Sequence, residues 1–351
     1  MWRLVNVFLL LSLLALFQAC GGVSKDDDDD NGDNGNGGNP PPDVGPFPPL
    51  TQIVEVQDGF LQGERVEGTD VIRFLGVPYA APPVGELRWR EPQEVIPWLD
   101  IRDATQPTLP CIQGNTLDLS TQSEDCLYLN VAAPDAETEF HRPVMVWFHD
   151  ESDDNGAATP AEITNIADIA ELAEATGHVV VSVDARLGFL GFLALPELRL
   201  ENANNSTGNY RHLDEVQALQ WVQDNIRAFN GNPNNVTLFG QYGGANSVCR
   251  HLSSPISAGL FQRVILQSGR CGPFVVDELA ARFEQGEDFK AIWGCGSNEA
   301  TLDCLRQQDA LSLREALRNA GKADDLFRGA FLDPDQQKWL PVAAIDDYAF
   351  N

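Results

Sequence analysis

The sequence predicts an α/β domain built on a central, mostly parallel sheet with helices on both faces. Three observations predict it. Near-continuous runs of β-branched and aromatic residues recur along the chain, amphipathic helical patterns lie between them, and one run ends in a tight glycine-flanked turn that opens a helix. Strand and helix alternating in this order place the strands in one layer and the helices outside it.

The runs come first. Arg142 to His149 carries Val144, Met145, Val146, Trp147 and Phe148 almost without a break, and His178 to Asp184 carries Val179, Val180, Val181 and Val183. Asn235 to Phe239 and Arg263 to Gln267 read the same way. A strand that alternates apolar and polar residues has one wet face, whereas a continuous run is dry on both, as in a covered parallel sheet. The helices come next. Pro160 to Thr176 sets Ile163, Ile166, Ile169 or Ala170, and Ala173 on one side, with Gly177 to end it. Leu213 to Phe229 repeats Leu213, Val216, Leu219, Val222, Ile226 and Phe229, and Asn230-Gly231 stops it.

The turn is Gly240-Gln241-Tyr242-Gly243-Gly244, between the Asn235–Phe239 strand and a short helix over about Ala245 to Leu252. Strand, sharp turn and helix make the layout of a nucleophile elbow, in which the central side chain is thrust above the sheet. Gly240 and Gly244 let the two backbones approach, and the Gly243 N–H is placed to face a developing oxyanion. The pattern asks for serine at the centre, and residue 242 is tyrosine.

Several further segments resemble the type-B carboxylesterase family, which includes the cholinesterases. Phe74 to Gly85 with Leu87-Arg88-Trp89 is similar to its N-terminal signature, and Ser123 to Val131 to its second. Ala185 to Phe192, Gly208-Asn209-Tyr210, Leu213-Asp214, Ala218 to Val222, Asn232 to Gly240 and Gln267-Ser268-Gly269 follow in family order. The resemblance covers roughly residues 60 to 270 and implies an α/β-hydrolase fold, ester hydrolysis as the family reaction and no cofactor. It makes Tyr242 the substituted nucleophile position and Asp150, Glu151 and Gly243 the oxyanion positions, with His149 and Ser268 in support. It also implies disulfides Cys111–Cys126 and Cys295–Cys304, leaving Cys249 and Cys271 unassigned.

Three departures bear on chemistry. A phenol with an ordinary pKa of about 10 stands where a hydroxymethyl should. Losing that serine in a comparable triad costs on the order of a millionfold, or about 8 kcal/mol of barrier. After His149 the family has glycines whose N–H groups serve the oxyanion, and this chain has Asp150-Glu151-Ser152-Asp153-Asp154-Asn155-Gly156. Loss of one such donor costs about 100- to 1000-fold. Asp150 with Glu151 reads as a solvated acidic loop, with paired-acid or metal chemistry as the lesser alternative. Third, the family's acid and histidine lie beyond the matched segments, and Trp339 to Asp347 resembles the stretch just before that acid. None of His141, His149, His178, His212 and His251 matches the catalytic histidine. His212 and His251 read as surface or packing residues. Ser247 or Ser268 as a substitute nucleophile would need a base that the sequence does not supply.

The expected organisation is a signal peptide over 1–20, a disordered linker over 21–46 and the hydrolase-like domain over 47–351, incomplete at its C-terminal end. Arg3 followed by the apolar run Leu4 to Phe17 has the proportions of an export leader, and Cys20 before Gly21-Gly22 resembles a lipidation site. Asp26 to Asp30, the Asn/Gly repeats and Pro40 to Pro42 offer nothing to bury. Of the 351 residues, 23 are Lys or Arg and 52 Asp or Glu, a formal charge of −29. That balance repels phosphates, so nucleic acid is excluded as a partner and membrane contact is expected only through a lipid at Cys20. The remaining partner is a small ester or a protein ligand. The expectation is an exported, outer-membrane-anchored lipoprotein of a bacterium that keeps the hydrolase fold without its chemistry and acts as a surface binding module. An active ester hydrolase with atypical residues and a truncated gene product are the rival readings. No spacing of Cys or His suggests a metal site.

Overall fold

The computed structural model of the chain describes residues 44–113, 121–150, 166–269, 271, 277–296, 300–319 and 331–332. The expected leader with Cys20, most of the linker, Glu151 with the rest of the acidic loop, and the Trp339–Asp347 segment lie outside these residues. The strands are β1 Val44–Phe47, β2 Ile53–Val56, β3 Gly59–Gln62, β4 Glu64–Arg65, β5 Val71–Pro78, β6 Ile101–Asp103, β7 Tyr128–Pro134, β8 Thr138–Phe140, β9 Arg142–Phe148, β10 Val179–Val183, β11 Gly231–Gln241, β12 Arg263–Gln267, β13 Asp277–Glu278 and β14 Phe331–Leu332. The helices are α1 Ile166–Thr176, α2 Gly188–Phe192, α3 Pro196–Glu201, α4 Tyr210–Asn225, α5 Gly243–Ser253, α6 Leu279–Trp293, α7 Thr301–Arg306 and α8 Ala310–Asn319.

Among the described residues the main sheet has seven strands in the order β12-β11-β9-β10-β7-β5-β4. The pairs β12–β11, β11–β9 and β9–β10 are parallel, and the β10–β7, β7–β5 and β5–β4 pairs are antiparallel. The parallel half is the half that carries the elbow.

The alternation hidden in the apolar runs is now visible. Val144, Val146 and Phe148 of β9, Val179 and Val181 of β10 and Val236 and Leu238 of β11 face one side of the sheet, with Leu219, Val222 and Ile226 packed over them. Met145, Val180 and Phe239 face the other, against Ile169, Ala170 and Ala173 of α1. Both faces are dry, which is why the sequence showed runs rather than alternation. A separate cluster gathers α2, α3 and α6 to α8 around Trp89, Phe189, Phe289, Leu305 and Leu313.

Two ion pairs tie the family-like segments together. Arg88 clasps Glu124 through Nε and Nη2, at 2.5 and 2.7 Å, and Arg186 clasps Asp214 at 2.8 and 2.6 Å with both side chains sealed. Arg supplies a planar fork that a carboxylate matches, so the pairs can stand inside the domain.

The linker expected over 21–46 gives way to structure before its end: Val44–Phe47 is a strand antiparallel to Thr138–Phe140. A neighbouring strand end supplies backbone partners that composition cannot reveal. Cys111–Cys126 and Cys295–Cys304 are disulfides, with Cα atoms 5.0 and 5.9 Å apart. The unassigned Cys249 and Cys271 are also joined, at 5.4 Å, and tether α5 to the chain beyond β12.

Candidate active site

β9 and β11 end side by side, and the turn from β11 into α5 rises at that edge. The turn is as tight as its glycines imply. A Cβ on Gly240 would be driven into the backbone of Gly244, and one on Gly244 into the Phe148 carbonyl at the end of β9. Gly269 likewise leaves no room beside Ala245. The Tyr242 N–H donates to the Gln267 carbonyl at 3.0 Å, and the Tyr242 carbonyl accepts the Asn246 N–H at 3.1 Å. Held this way, Tyr242 has φ 51° and ψ −115°, a conformation L-residues rarely adopt. Its side chain is 57% exposed at the apex. This is the strained backbone of an elbow with a phenol in place of the hydroxymethyl.

The oxyanion position is occupied from within. The Gly243 N–H donates to Asp150 Oδ1 at 2.8 Å. Gly243 is the first residue of α5, where backbone N–H groups have no acceptor inside the helix and a negative charge is favoured. The expectation of a solvated Asp150 is thereby corrected: the carboxylate turns onto the free donor at the helix start, because that donor would otherwise lack a partner. Glu151 lies outside the described residues. Ser268 is exposed, with φ 53°, just beyond β12.

The histidines lead elsewhere. His149 is buried and donates from Nδ1 to its neighbour's carbonyl, Asp150 O, at 2.8 Å. Burial, then the nearby Arg211, lowers its pKa to about 4. His178 donates from Nδ1 to the Thr176 carbonyl, and His141 stacks on Phe47. His212 and His251 are sealed in a network under α5 that the sequence did not reveal.

At the centre of that network is Glu215. Its carboxylate accepts Arg211 Nε at 2.9 Å, Ser247 Oγ at 2.5 Å and His251 Nε2 at 3.2 Å. His251 Nδ1 faces Ser257 Oγ at 2.8 Å, His212 Nε2 faces Ser254 Oγ at 2.9 Å, and Arg250 Nη2 donates to Ser247 Oγ at 2.9 Å. Burial alone would raise Glu215, but Arg211, His251 and Ser247 overcome it and hold the acid at about 2. Burial, then His251, lowers His212 to about 3, and burial lowers His251 too. The network at neutral pH therefore holds an ionised acid and two neutral imidazoles.

Ser257, His251 and Glu215 form a serine–histidine–acid series, but Ser257 and Glu215 have no exposed surface and His251 has 1%. No substrate reaches it. Ser247, which lacked a base in the sequence, proves to be bonded to an acid and equally sealed. His212, Glu215 and His251 also bring one ligand atom each within 4.8 Å of the others, a spacing a metal ion could use. The charge is wrong for one. Arg211 lies on the same carboxylate and Arg250 on its serine partner, so a dication there would be added beside two guanidiniums. The only clue in the sequence was the Arg211/Glu215 spacing of one helical turn.

A strained strand–turn–helix elbow at the end of the parallel half-sheet defines the site, and comparison with known proteins places it. The carboxylesterase family model matches residues 50–347. The chain belongs to the carboxylesterase family. It is 41% identical over 252 residues to the fumonisin B1 esterase of Sphingopyxis macrogoltabida, covering 70% of this chain and 45% of that protein. It is 36% identical over 296 residues to human carboxylesterase 5A, covering 78% and 49%. A thermophilic PNB esterase superposes with a TM-score of 0.70 at 36% identity, over 83% of this chain and 58% of that one. The Geobacillus stearothermophilus carboxylesterase Est55 does so with a TM-score of 0.68 at 33% identity, over 81% and 57%. The fold is thus the α/β-hydrolase fold of these esterases. The chain spans about half the length of the curated relatives it matches.

Proposed function

We propose that this carboxylesterase-family chain does not turn over esters at its elbow and serves as a binding module outside the cell. The observation that carries the reading is the pair at the apex. Tyr242 fills the nucleophile position, and the one backbone donor the elbow offers an oxyanion is already engaged by Asp150. Either change alone removes several kcal/mol of transition-state stabilisation, by the loss of a nucleophile or of an oxyanion donor. The ligand is a small ester or a protein surface. A formal charge of −29 opposes nucleic acid and anionic lipid. The apolar leader and Cys20 support export and lipid anchoring at an outer membrane. The rival reading, an ester hydrolase with atypical residues, draws on the retained elbow strain and on relatives that are named as esterases.

The test is labelling of the full chain with a serine-directed fluorophosphonate, alongside hydrolysis of short acyl p-nitrophenyl esters. No incorporation and no turnover above background are expected. The Tyr242→Ser variant should behave the same way, because Asp150 still occupies Gly243. Labelling at any serine, or clear hydrolysis by that variant, overturns the reading. The anchor is tested by palmitate incorporation in a bacterial host, expected to vanish in Cys20→Ser; incorporation that survives the substitution rules Cys20 out.

A further inference from the structure

Both partners of the contact between Asp150 and Gly243 are referenced to the same buried anion. On one side, Glu215 holds α5, whose first N–H is that of Gly243, by accepting Ser247 and His251. On the other, Glu215 fixes Arg211 through Nε, and Arg211 Nη2 donates to the His149 carbonyl at 2.9 Å. The Arg211 and Glu215 side chains are 1% and 0% exposed, so neither has water to exchange with. His149 then closes its own Nδ1–H onto the Asp150 carbonyl, which orients the next carbonyl along the chain. An aspartate has a single carbon between backbone and carboxylate. Once residue 149 is pinned and the next peptide oriented, little freedom remains in where the Asp150 carboxylate falls.

We infer that Arg211 is a positioning residue that, braced by Glu215, seats Asp150 on the Gly243 N–H and keeps the elbow self-occupied. The guanidinium suits this task because its planar fork serves two acceptors in fixed directions, the Glu215 carboxylate and the His149 carbonyl. The contact is an autoinhibitory one. A ligand oxygen reaches the Gly243 donor only if the Asp150 carboxylate leaves, and the buried pair holds the backbone that carries it. This rests on the reading of the elbow as closed to ester turnover, and it adds the device that closes it.

Gly243 supplies the readout. As the first residue of α5 it has no acceptor within the helix, so slow exchange of its amide reports an acceptor from outside. The experiment is amide hydrogen exchange on the full chain labelled with 15N-glycine, with the Gly243 resonance identified by its loss in Gly243→Ala and the buried Gly240 as an internal control. Slow exchange at Gly243 is expected in the native chain. Asp150→Ala and Arg211→Met should each accelerate it at least tenfold while Gly240 stays slow, and Arg211→Lys should recover part of the protection. If Arg211→Met does not fold, Glu215→Gln, which keeps the shape and removes the charge, should produce the same selective loss. Gly243 exchange that is unchanged in the folded Arg211 or Glu215 variant, or that accelerates only together with Gly240, overturns the positioning role. A fast Gly243 amide in the native chain overturns the seat itself. The outcome is independent of the activity assay. Ester turnover with Gly243 still protected would sink the functional reading alone, and an unprotected Gly243 without turnover would sink the latch alone.

Discussion

Helix α5 separates two regions that handle polar groups in opposite ways. Above its first turn, Tyr242 stands 57% exposed on a strained backbone, and a single carboxylate from a neighbouring loop meets the helix start. Beneath it, Glu215, His212 and His251 are sealed, and the carboxylate is shared among an arginine, a serine and an imidazole. The comparison separates the scaffold of a catalytic turn from its chemistry. The elbow's dihedrals are imposed by the contacts of Gly240, Gly244 and Gly269 with the surrounding backbone and Ala245, so they persist with tyrosine at the apex. The densest polar network of the region lies below the helix, where it fixes position and has almost no exposed surface.

The larger test of that contrast is acid. Burial lowers His149 to about 4 and His212 to about 3, against an ordinary 6.5. With the folded pKa below the unfolded one, the unfolded chain takes up the proton first. The stability is therefore whole above pH 6.5 and falls as the pH drops toward the folded values. Asp184 works the other way. Burial, opposed by Arg211, raises it to about 7, so the folded chain protonates first and gains stability as the pH falls from 7 toward 4. Among these three groups the two imidazoles outweigh the carboxyl by one proton, about 1.4 kcal/mol per pH unit between about pH 6.5 and 4, a loss that Asp214, raised by burial against the pull of Arg186, reduces. His251, also lowered by burial, steepens the loss. Glu215, held at about 2, adds to it once the pH passes below its ordinary 4.5. Denaturant midpoints measured from about pH 8 to about pH 4 should fall in this pattern. A flat profile would mean that the region under α5 is open to water and that the two sides of the helix do not differ.

How much of this could be read in the sequence follows from the same division. The fold was legible because a sheet covered on both faces leaves continuous runs such as Val144 to Phe148, a pattern carried by neighbouring residues. The elbow was legible because its glycines and its centre lie within five consecutive positions. The network was not, because Glu215 meets Ser247 and His251 only after α4 and α5 pack, and an acid on a helix ordinarily reads as solvent-facing. Asp150 was legible as an acid in the oxyanion position but not as a partner of Gly243, which is 93 residues away along the chain. Cys249 and Cys271 could be paired only once the end of β12 lay beside α5. Local order was readable; contacts between distant elements required the fold.

The smaller test is on the exposed side, at Tyr242 itself. A non-glycine residue at φ 51°, ψ −115° costs on the order of 1–3 kcal/mol, which the surrounding packing must offset. Glycine adopts the same dihedrals without a Cβ penalty, while the freedom it adds to the unfolded chain takes back about 0.5–1 kcal/mol. The ring is more than half exposed, so its loss removes little buried area. Tyr242→Gly should therefore stabilise the chain by about 1 kcal/mol, a rise of about 2 °C in Tm for a domain of this size. The same change in a sealed side chain such as Phe148 would cost several kcal/mol through the cavity it leaves. A Tyr242→Gly variant that melts lower than the parent would show that the phenol makes contacts worth more than the strain it endures. The apex would then be a packed element of the fold, and the distinction drawn across α5 would fail on its upper side.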